Sequence, residues 1–155
     1  MLSRHKPITA ELRQLGSSHR LTVIAAFHYE ERRFTIIATH PYPPISSRCA
    51  QIRDEHLQST AALAAETEGP LILMGDLNAS PWSPIFQTML NISGLRDTRR
   101  GYGLQTTWKG APLVRIPIDH ALVSDEIVIH DRRVGADIGS DHLPVIVDFS
   151  VARQD

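Results

Sequence analysis

Short apolar runs separated by polar breaks make up most of this chain. Leu21-Thr22-Val23-Ile24-Ala25-Ala26-Phe27 is rich in strand-forming residues and predicts a β-strand. Glu30-Glu31-Arg32-Arg33 is a polar turn, and Phe34-Thr35-Ile36-Ile37-Ala38-Thr39 predicts a second strand, so the pair reads as a hairpin. His40 sits where that strand stops, and Pro41, Pro43 and Pro44 then forbid helix and sheet pairing. From Ser46 or Ser47, either of which can cap a helix, the spacing becomes helical and runs to about Glu66. Cys49, Ile52, His56 and Leu63 fall on one face with Leu57 and Ala64 beside them, a small apolar side suited to lying on a sheet. Gly69-Pro70 ends that helix.

Leu71-Ile72-Leu73-Met74 predicts a buried strand that stops at Gly75 and delivers Asp76 and Asn78. Residues i and i+2 of an extended chain point to one side, so the carboxylate and the amide are expected to face one spot. The competing reading is a plain turn, because Gly, Asp and Asn are turn residues for steric and hydrogen-bonding reasons. Ser80-Pro81 reads as an N-cap and first helical position, with Ser83-Pro84 as the alternative, for a short helix reaching Leu90. Asn91 to Gly103 is loop-like, and Gln105-Thr106-Thr107-Trp108 predicts a strand. Ile116 to Ser124 predicts another, with Asp119 in its interior, where an acid is costly to bury without a partner. Ile127 to Arg132 and Val145 to Phe149 predict two more, separated by the tight polar loop Gly139-Ser140-Asp141-His142-Leu143-Pro144. The first twenty residues start abruptly, without a cap or leading turn, and read like the middle of something. Strand, helix, strand in that order implies mixed α/β architecture.

Composition narrows the possibilities without deciding among them. The 155 residues fit one domain and can bury a sizeable core. A net charge of −1 supplies no global field for nucleic acid, so a phosphate-bearing ligand needs a local site. A single cysteine, Cys49, rules out an internal disulfide. Met1 to Arg20 lacks the apolar centre of a signal peptide, and the longest apolar run is far too short to span a bilayer. Eight histidines suggest a zinc hydrolase as an outside reading, but no His-x-x-x-His or Glu-containing zinc pair falls on the helix.

Polar stretches recur at strand ends or within apolar runs: Thr39-His40, Asp76-Leu77-Asn78, Ile118-Asp119-His120 and Ser140-Asp141-His142. Each alone reads as a turn, a solvated histidine or a buried acid that holds a loop. Together, as Thr39-His40, Gly75-Asp76-Leu77-Asn78, Pro117-Ile118-Asp119-His120 and Gly139-Ser140-Asp141-His142-Leu143-Pro144, they resemble the endonuclease/exonuclease/phosphatase superfamily. Thr39-His40-Pro41-x-Pro43-Pro44 looks like a bacterial branch whose members often follow membrane-spanning helices, which leaves a membrane-anchored parent open.

The resemblance implies an α+β fold, a two-sheet β-sandwich flanked by helices in four αββα layers, here as a single partial domain over residues 1–155 that lacks its first strands. For the parent protein it also implies metal-dependent hydrolysis of a phosphate ester, whether in nucleic acid, a lipid head group or a small phosphate, whereas this chain alone, without the upstream glutamate, is expected to bind metal weakly and show little or no turnover. Asp76 would orient or deprotonate the water, Asn78 would hold a phosphoryl oxygen, and Asp119 would fix the tautomer of His142. His142 would contact the phosphate or move a proton, and His40 would supply a second phosphate contact. Asp141 would bind Mg²⁺ or Mn²⁺, hard ions that take oxygen ligands.

Family members carry an upstream asparagine and a metal-binding glutamate, and Glu11, Glu30 and Glu31 do not sit in a matching context. The rival reading is therefore a truncated or degenerate member acting as a non-catalytic binding or structural domain. A sandwich without its first strands exposes an edge and an apolar face, so self-association, for instance as a homodimer, or low stability is expected, with the flank of the Leu21–Thr39 hairpin as the exposed surface.

Overall fold

Alternation of apolar and polar positions builds one large sheet in the computed structural model, which describes residues 2–30, 32–111 and 114–152. Its strands are β1 (Thr9–Gln14), β2 (Leu21–Tyr29), β3 (Arg32–Ala38), β4 (Leu71–Asp76), β8 (Asp119–Val123) and β5 (Arg96–Asp97), in the spatial order β1-β2-β3-β4-β8-β5. β3 and β4 run parallel; the other neighbours are antiparallel. The parallel pair needs a crossover, and helix α1 (Ser47–Glu66) supplies it. Ser46 caps α1, its Oγ accepting from the Cys49 N–H at 3.1 Å.

The two faces of this sheet differ. On one, Ile37, Leu71, Leu73 and Leu122 pack against Leu57, Ala61 and Ala64 of α1 and Phe86 and Met89 of α2 (Pro84–Ser93), forming the main core. The other carries Val23, Phe34, Ile36, Ile72, Met74 and Val123, toward which a second, two-stranded sheet folds, made of β9 (Ile127–Val134) and β10 (Val145–Val151). Strands β6 (Trp108–Ala111) and β7 (Val114–Ile116) form a separate hairpin.

The result is an α+β sandwich of two unequal sheets, with helices on the outer face of the large one among the described residues. Because the small sheet is narrow, part of the face beneath it is open. A cleft of about 720 Å³ lies between Val23, Ile36 and Met74 below and Val145 and Val147 of β10 above. A second, of about 740 Å³, shares Ile36 and Phe149 with it and continues to Tyr29 at the far end of the sheet.

Several expectations shift. The polar opening segment contains β1, paired with β2 from Thr9↔Ala26 to Gln14↔Leu21. The exposed edge is therefore β1, all of whose residues are exposed, rather than the flank of the β2–β3 hairpin. The short helix starts after Ser83, with Pro84 in its first turn, because Ser80-Pro81 is spent on a turn closed by the Ser83 N–H on the Ser80 carbonyl. The buried side of α1 centres on His56, Leu57, Thr60, Ala61 and Ala64, leaving Cys49 and Ile52 half-buried. The loop after α2 includes β5, and the strand expected at 105–108 begins only at Trp108. The run 116–124 divides at Pro117-Ile118, so Asp119 opens β8 instead of sitting inside a strand. A proline has no N–H to give a ladder, which accounts for the break.

Candidate active site

Strand ends deliver His40, Asp76 and Asp119, and a loop delivers His142. β3 stops at Ala38, and the next residues, Thr39 and His40, lie beside the end of β4, with the Thr39 N–H on the Met74 carbonyl at 3.0 Å. β4 ends at Asp76, which pairs across the ladder with Asp119 at the start of β8. Paired residues share a face, so both carboxylates stand at the mouth of the open cleft. The Gly139–Pro144 loop brings His142 to the same mouth from the β9–β10 side.

His142 Nδ1 lies 2.8 Å from Asp119 Oδ2, and its Nε2 lies 3.7 Å from Asp76 Oδ2. His40 Nε2 approaches the same Asp76 oxygen at 3.5 Å. One carboxylate thus faces two imidazoles, and a second carboxylate holds one of them from behind. Burial lifts the Asp76 pKa above the ordinary carboxylate range, helped by the Asp119 charge and opposed by the Asn78 N–H and the two histidines. Burial also disfavours charge on His142, but the bond to Asp119 and the charges of Asp119, Asp76 and Asp141 outweigh it and raise the imidazole pKa.

Two expected residues stand apart from this group. Asn78 takes a left-handed backbone (φ 49), its N–H donates to Asp76 Oδ1 at 2.8 Å, and its side-chain amide donates to the Pro41 carbonyl at 3.2 Å. It therefore braces the Pro41 turn and shapes Asp76. It does not project beside Asp76 as a simple i, i+2 extended pair. Asp141 is exposed; its backbone carbonyl accepts from the Lys109 N–H at 2.9 Å, and Ser140 Oγ lies 3.3 Å from its Oδ1.

Residues to which the sequence assigns no role prove to hold the site, two of them, Thr107 and Arg20, outside every motif. Thr107 is fully buried and its Oγ1 accepts the N–H groups of both Ile118 and Asp119, each at 3.2 Å. Its carbonyl accepts from the Leu143 N–H at 2.7 Å, so one residue ties the Asp119 strand to the His142 loop. Gly75, at φ 148, lies so close to Thr39 that an added Cβ would overlap the Thr39 carbonyl. Arg20 places Nη1 3.5 Å from His40 Nδ1 and lies over the Tyr42 ring, adding a cation at the rim. None of these contacts has a local sequence signature, because each joins distant parts of the chain.

Among the described residues, Asp76, Asp119 and His142 offer ligand atoms within 4.8 Å of one another, a cluster with the donors for a divalent ion. Two carboxylates suit a hard cation. The Asp119–His142 pair is already bonded within itself, however, which leaves Asp76 as the carboxylate of the cluster more open to one; the exposed Asp141 is not part of the cluster. Glu11 does not reach the cleft: it pairs with Ile24, on the helix side of the sheet, and bonds Arg13 at 2.7 Å. Glu30 sits at the β2–β3 turn at the opposite end of the sheet, and Glu31 lies outside the described residues.

Strand order, strand-end placement and the paired Asp119–His142 motifs together define a sandwich that carries its polar groups at one mouth. The chain belongs to the endonuclease/exonuclease/phosphatase family, whose family model matches residues 1–142. Its fold is similar to that of the endonuclease/exonuclease/phosphatase from Beutenbergia cavernae, at a TM-score of 0.80 and 21% identity over 97% of this chain and 46% of that one. The human nocturnin catalytic domain with bound sulfate gives a TM-score of 0.76 at 20% identity over 96% of this chain and 61% of that one. TDP2 from D. rerio, in complex with a single-strand DNA product, gives 0.76 at 17% identity over 96% of this chain and 69% of that one. The chain thus spans about half of the Beutenbergia protein and three fifths of the nocturnin domain. No curated protein matches it in sequence.

Proposed function

We propose that the cleft mouth hydrolyses a phosphate ester. The observation that carries this reading is His142, held by Asp119 through Nδ1 and presenting Nε2 toward Asp76. Asp119 keeps the proton on Nδ1, so Nε2 faces the substrate side and can take or give a proton there. Asp76, with its pKa raised toward the working range, orients and deprotonates the attacking water. Arg20 supplies positive charge and His40 a second contact for the phosphoryl oxygens at the rim, and Asn78 holds Asp76 and the Pro41 turn in place.

Mg²⁺ or Mn²⁺ completes the site in this reading. When bound, such an ion neutralises charge on the phosphate and polarises it. The Asp76, Asp119 and His142 cluster would hold it, Asp76 most openly, with water filling the remaining positions, as Mg²⁺ commonly accepts; Asp141, the expected ligand, lies outside that cluster. Bound sulfate in the nocturnin domain and the DNA product in TDP2 are in line with a tetrahedral oxyanion as ligand.

A second reading, a binding domain without turnover, is favoured by the placement of Glu11 and Glu30 away from the cleft, which leaves the cation few carboxylates. Hydrolysis of bis(p-nitrophenyl) phosphate separates the two. Turnover that requires Mg²⁺, stops with chelator and is lost in His142→Ala supports the enzyme. Binding of inorganic phosphate that His40→Ala weakens, with no turnover at any metal concentration, supports the binding domain.

A further inference from the structure

Helix α1 touches both halves of the site from behind the sheet. Arg53 Nη1 donates to the Asn78 carbonyl at 2.7 Å, and one turn later His56 reaches the end of β3. His56 is fully buried, and its Nε2 lies 2.8 Å from Thr39 Oγ1 and 3.0 Å from Thr22 Oγ1. The two hydroxyls are 2.8 Å apart, closing a buried triangle. His56 Nδ1 is buried without a hydrogen-bond partner. A bare acceptor costs less there than a bare N–H, so the proton belongs on Nε2, which then donates toward the threonine hydroxyls.

The triangle does more than fill the core, because Thr39 is joined on both sides to the site. The residue after it is His40, whose ring faces Asp76 at 3.5 Å. The Thr39 N–H binds the Met74 carbonyl at 3.0 Å, and the Thr39 carbonyl lies against Gly75, immediately before Asp76. A shift of the Thr39 backbone would therefore change the His40–Asp76 spacing. We propose that His56 is a positioning residue of the site: through the Thr39 hydroxyl it sets the end of β3, and so the distance of His40 from Asp76. This inference rests on the proposed function for its purpose, but its geometry can be tested without turnover.

The test compares Thr39→Val, Thr39→Ser and His56→Ala in the full 155-residue chain, using the ring C–H resonances of His40 and His142 as reporters. Val keeps the shape of Thr and removes the hydroxyl; Ser keeps the hydroxyl. The expected result is that Thr39→Val and His56→Ala shift or broaden the His40 signals while leaving His142, held by Asp119 and Thr107, in place. Thr39→Ser restores the His40 signals to their wild-type positions. In a chain that turns over, Thr39→Val lowers kcat roughly tenfold to a hundredfold with little change in KM, the scale that small misplacements produce, and Thr39→Ser recovers most of it. Unchanged His40 signals in Thr39→Val, with His142 also unchanged, overturn the proposal, as does a Ser variant that behaves like Val. Should His56→Ala fail to fold, the Val and Ser pair decides alone. Absence of turnover in every variant, wild type included, tells against the proposed hydrolysis and leaves the resonance result standing.

Discussion

His142 is bonded to Asp119 at 2.8 Å through Nδ1, although the two residues lie 23 positions apart on different elements. This contact raises the histidine pKa, together with the nearby charges of Asp76 and Asp141 and against the effect of burial. Replacing Asp119 by Asn removes the charge and keeps the shape. The His142 titration, followed by its ring resonances, is expected to move to lower pH. In a longer parent that hydrolyses as proposed, turnover is expected to fall by roughly 10²–10⁴, the range for a displaced general acid or base. An unmoved titration would show that Asp119 does not govern the ring.

Asp76 faces both imidazoles and is more buried than either. In a longer parent that hydrolyses as proposed, Asp76→Asn is expected to lower turnover by roughly 10²–10⁴. The fold should survive, because the side chain lies at a strand end outside the main core. Circular dichroism and a urea midpoint close to wild type, alongside the lost rate, would bear this out; wild-type rates would move the chemistry to another group.

His120 shares a motif with Asp119 but faces the opposite way. It donates from Nε2 to the Ala79 carbonyl at 2.9 Å and packs on Phe86, inside the helix-side core. Burial pushes its pKa down to about 4, outweighing the Ala79 bond and the Asp97 charge. The unfolded imidazole titrates near 6.5. Between those values the unfolded chain binds more protons, so stability is fully present above about pH 6.5 and is lost as pH falls toward 4, by on the order of 3 kcal/mol. His56, also lowered by burial and by Arg20, adds loss of the same sign. Urea titrations of wild type and His120→Gln at pH 7 and pH 4.5 isolate the His120 share, since the raised His142 acts in the opposite direction, and the same pH dependence in both would contradict it.

Gly75 is confined twice, by a positive φ and by the Thr39 carbonyl. Gly75→Ala is expected to destabilise the chain by roughly 2–4 kcal/mol through backbone strain and overlap. Urea denaturation gives that loss directly.

The edge strand β1 is exposed along its length, and Leu12 on it remains 63% exposed beside the open face. Unpaired edges next to apolar surface invite a second chain. The 155-residue chain on its own is expected to scatter light as a species heavier than its 17.3 kDa monomer. A stable monomer at micromolar concentration would show that the open face tolerates water.

Where burial is strong, the pattern of residues announces the structure. Leu71 to Met74 read as a buried strand because its side chains are wanted inside, and Asp76 then stands out as the point where the strand meets the site. Thr9 to Gln14 conceal a strand for the opposite reason: nothing on them is buried, so pairing with β2 leaves no apolar mark. Asp119 and His142 were recognisable as motifs, but the bond between them is a property of the loop closure at Thr107. Thr22, Thr39 and His56 show least of all, since a hydroxyl–imidazole triangle needs three separate segments to be folded before it exists.

The crossover from β3 through α1 to β4 enters the helix beside the site and leaves it at the other end of the sheet. The return turn near Gly69, where nothing lies within 4 Å of an added Cβ, stands at the end of the helix away from the His40 turn. Chain length is thus cheap at one end of α1 and critical at the other. A purification tag, a reporter peptide or new chain termini inserted near Gly69 should leave the spacing of His40 and Asp76 unchanged, whereas even one added residue between Pro41 and Ser46 should disturb it.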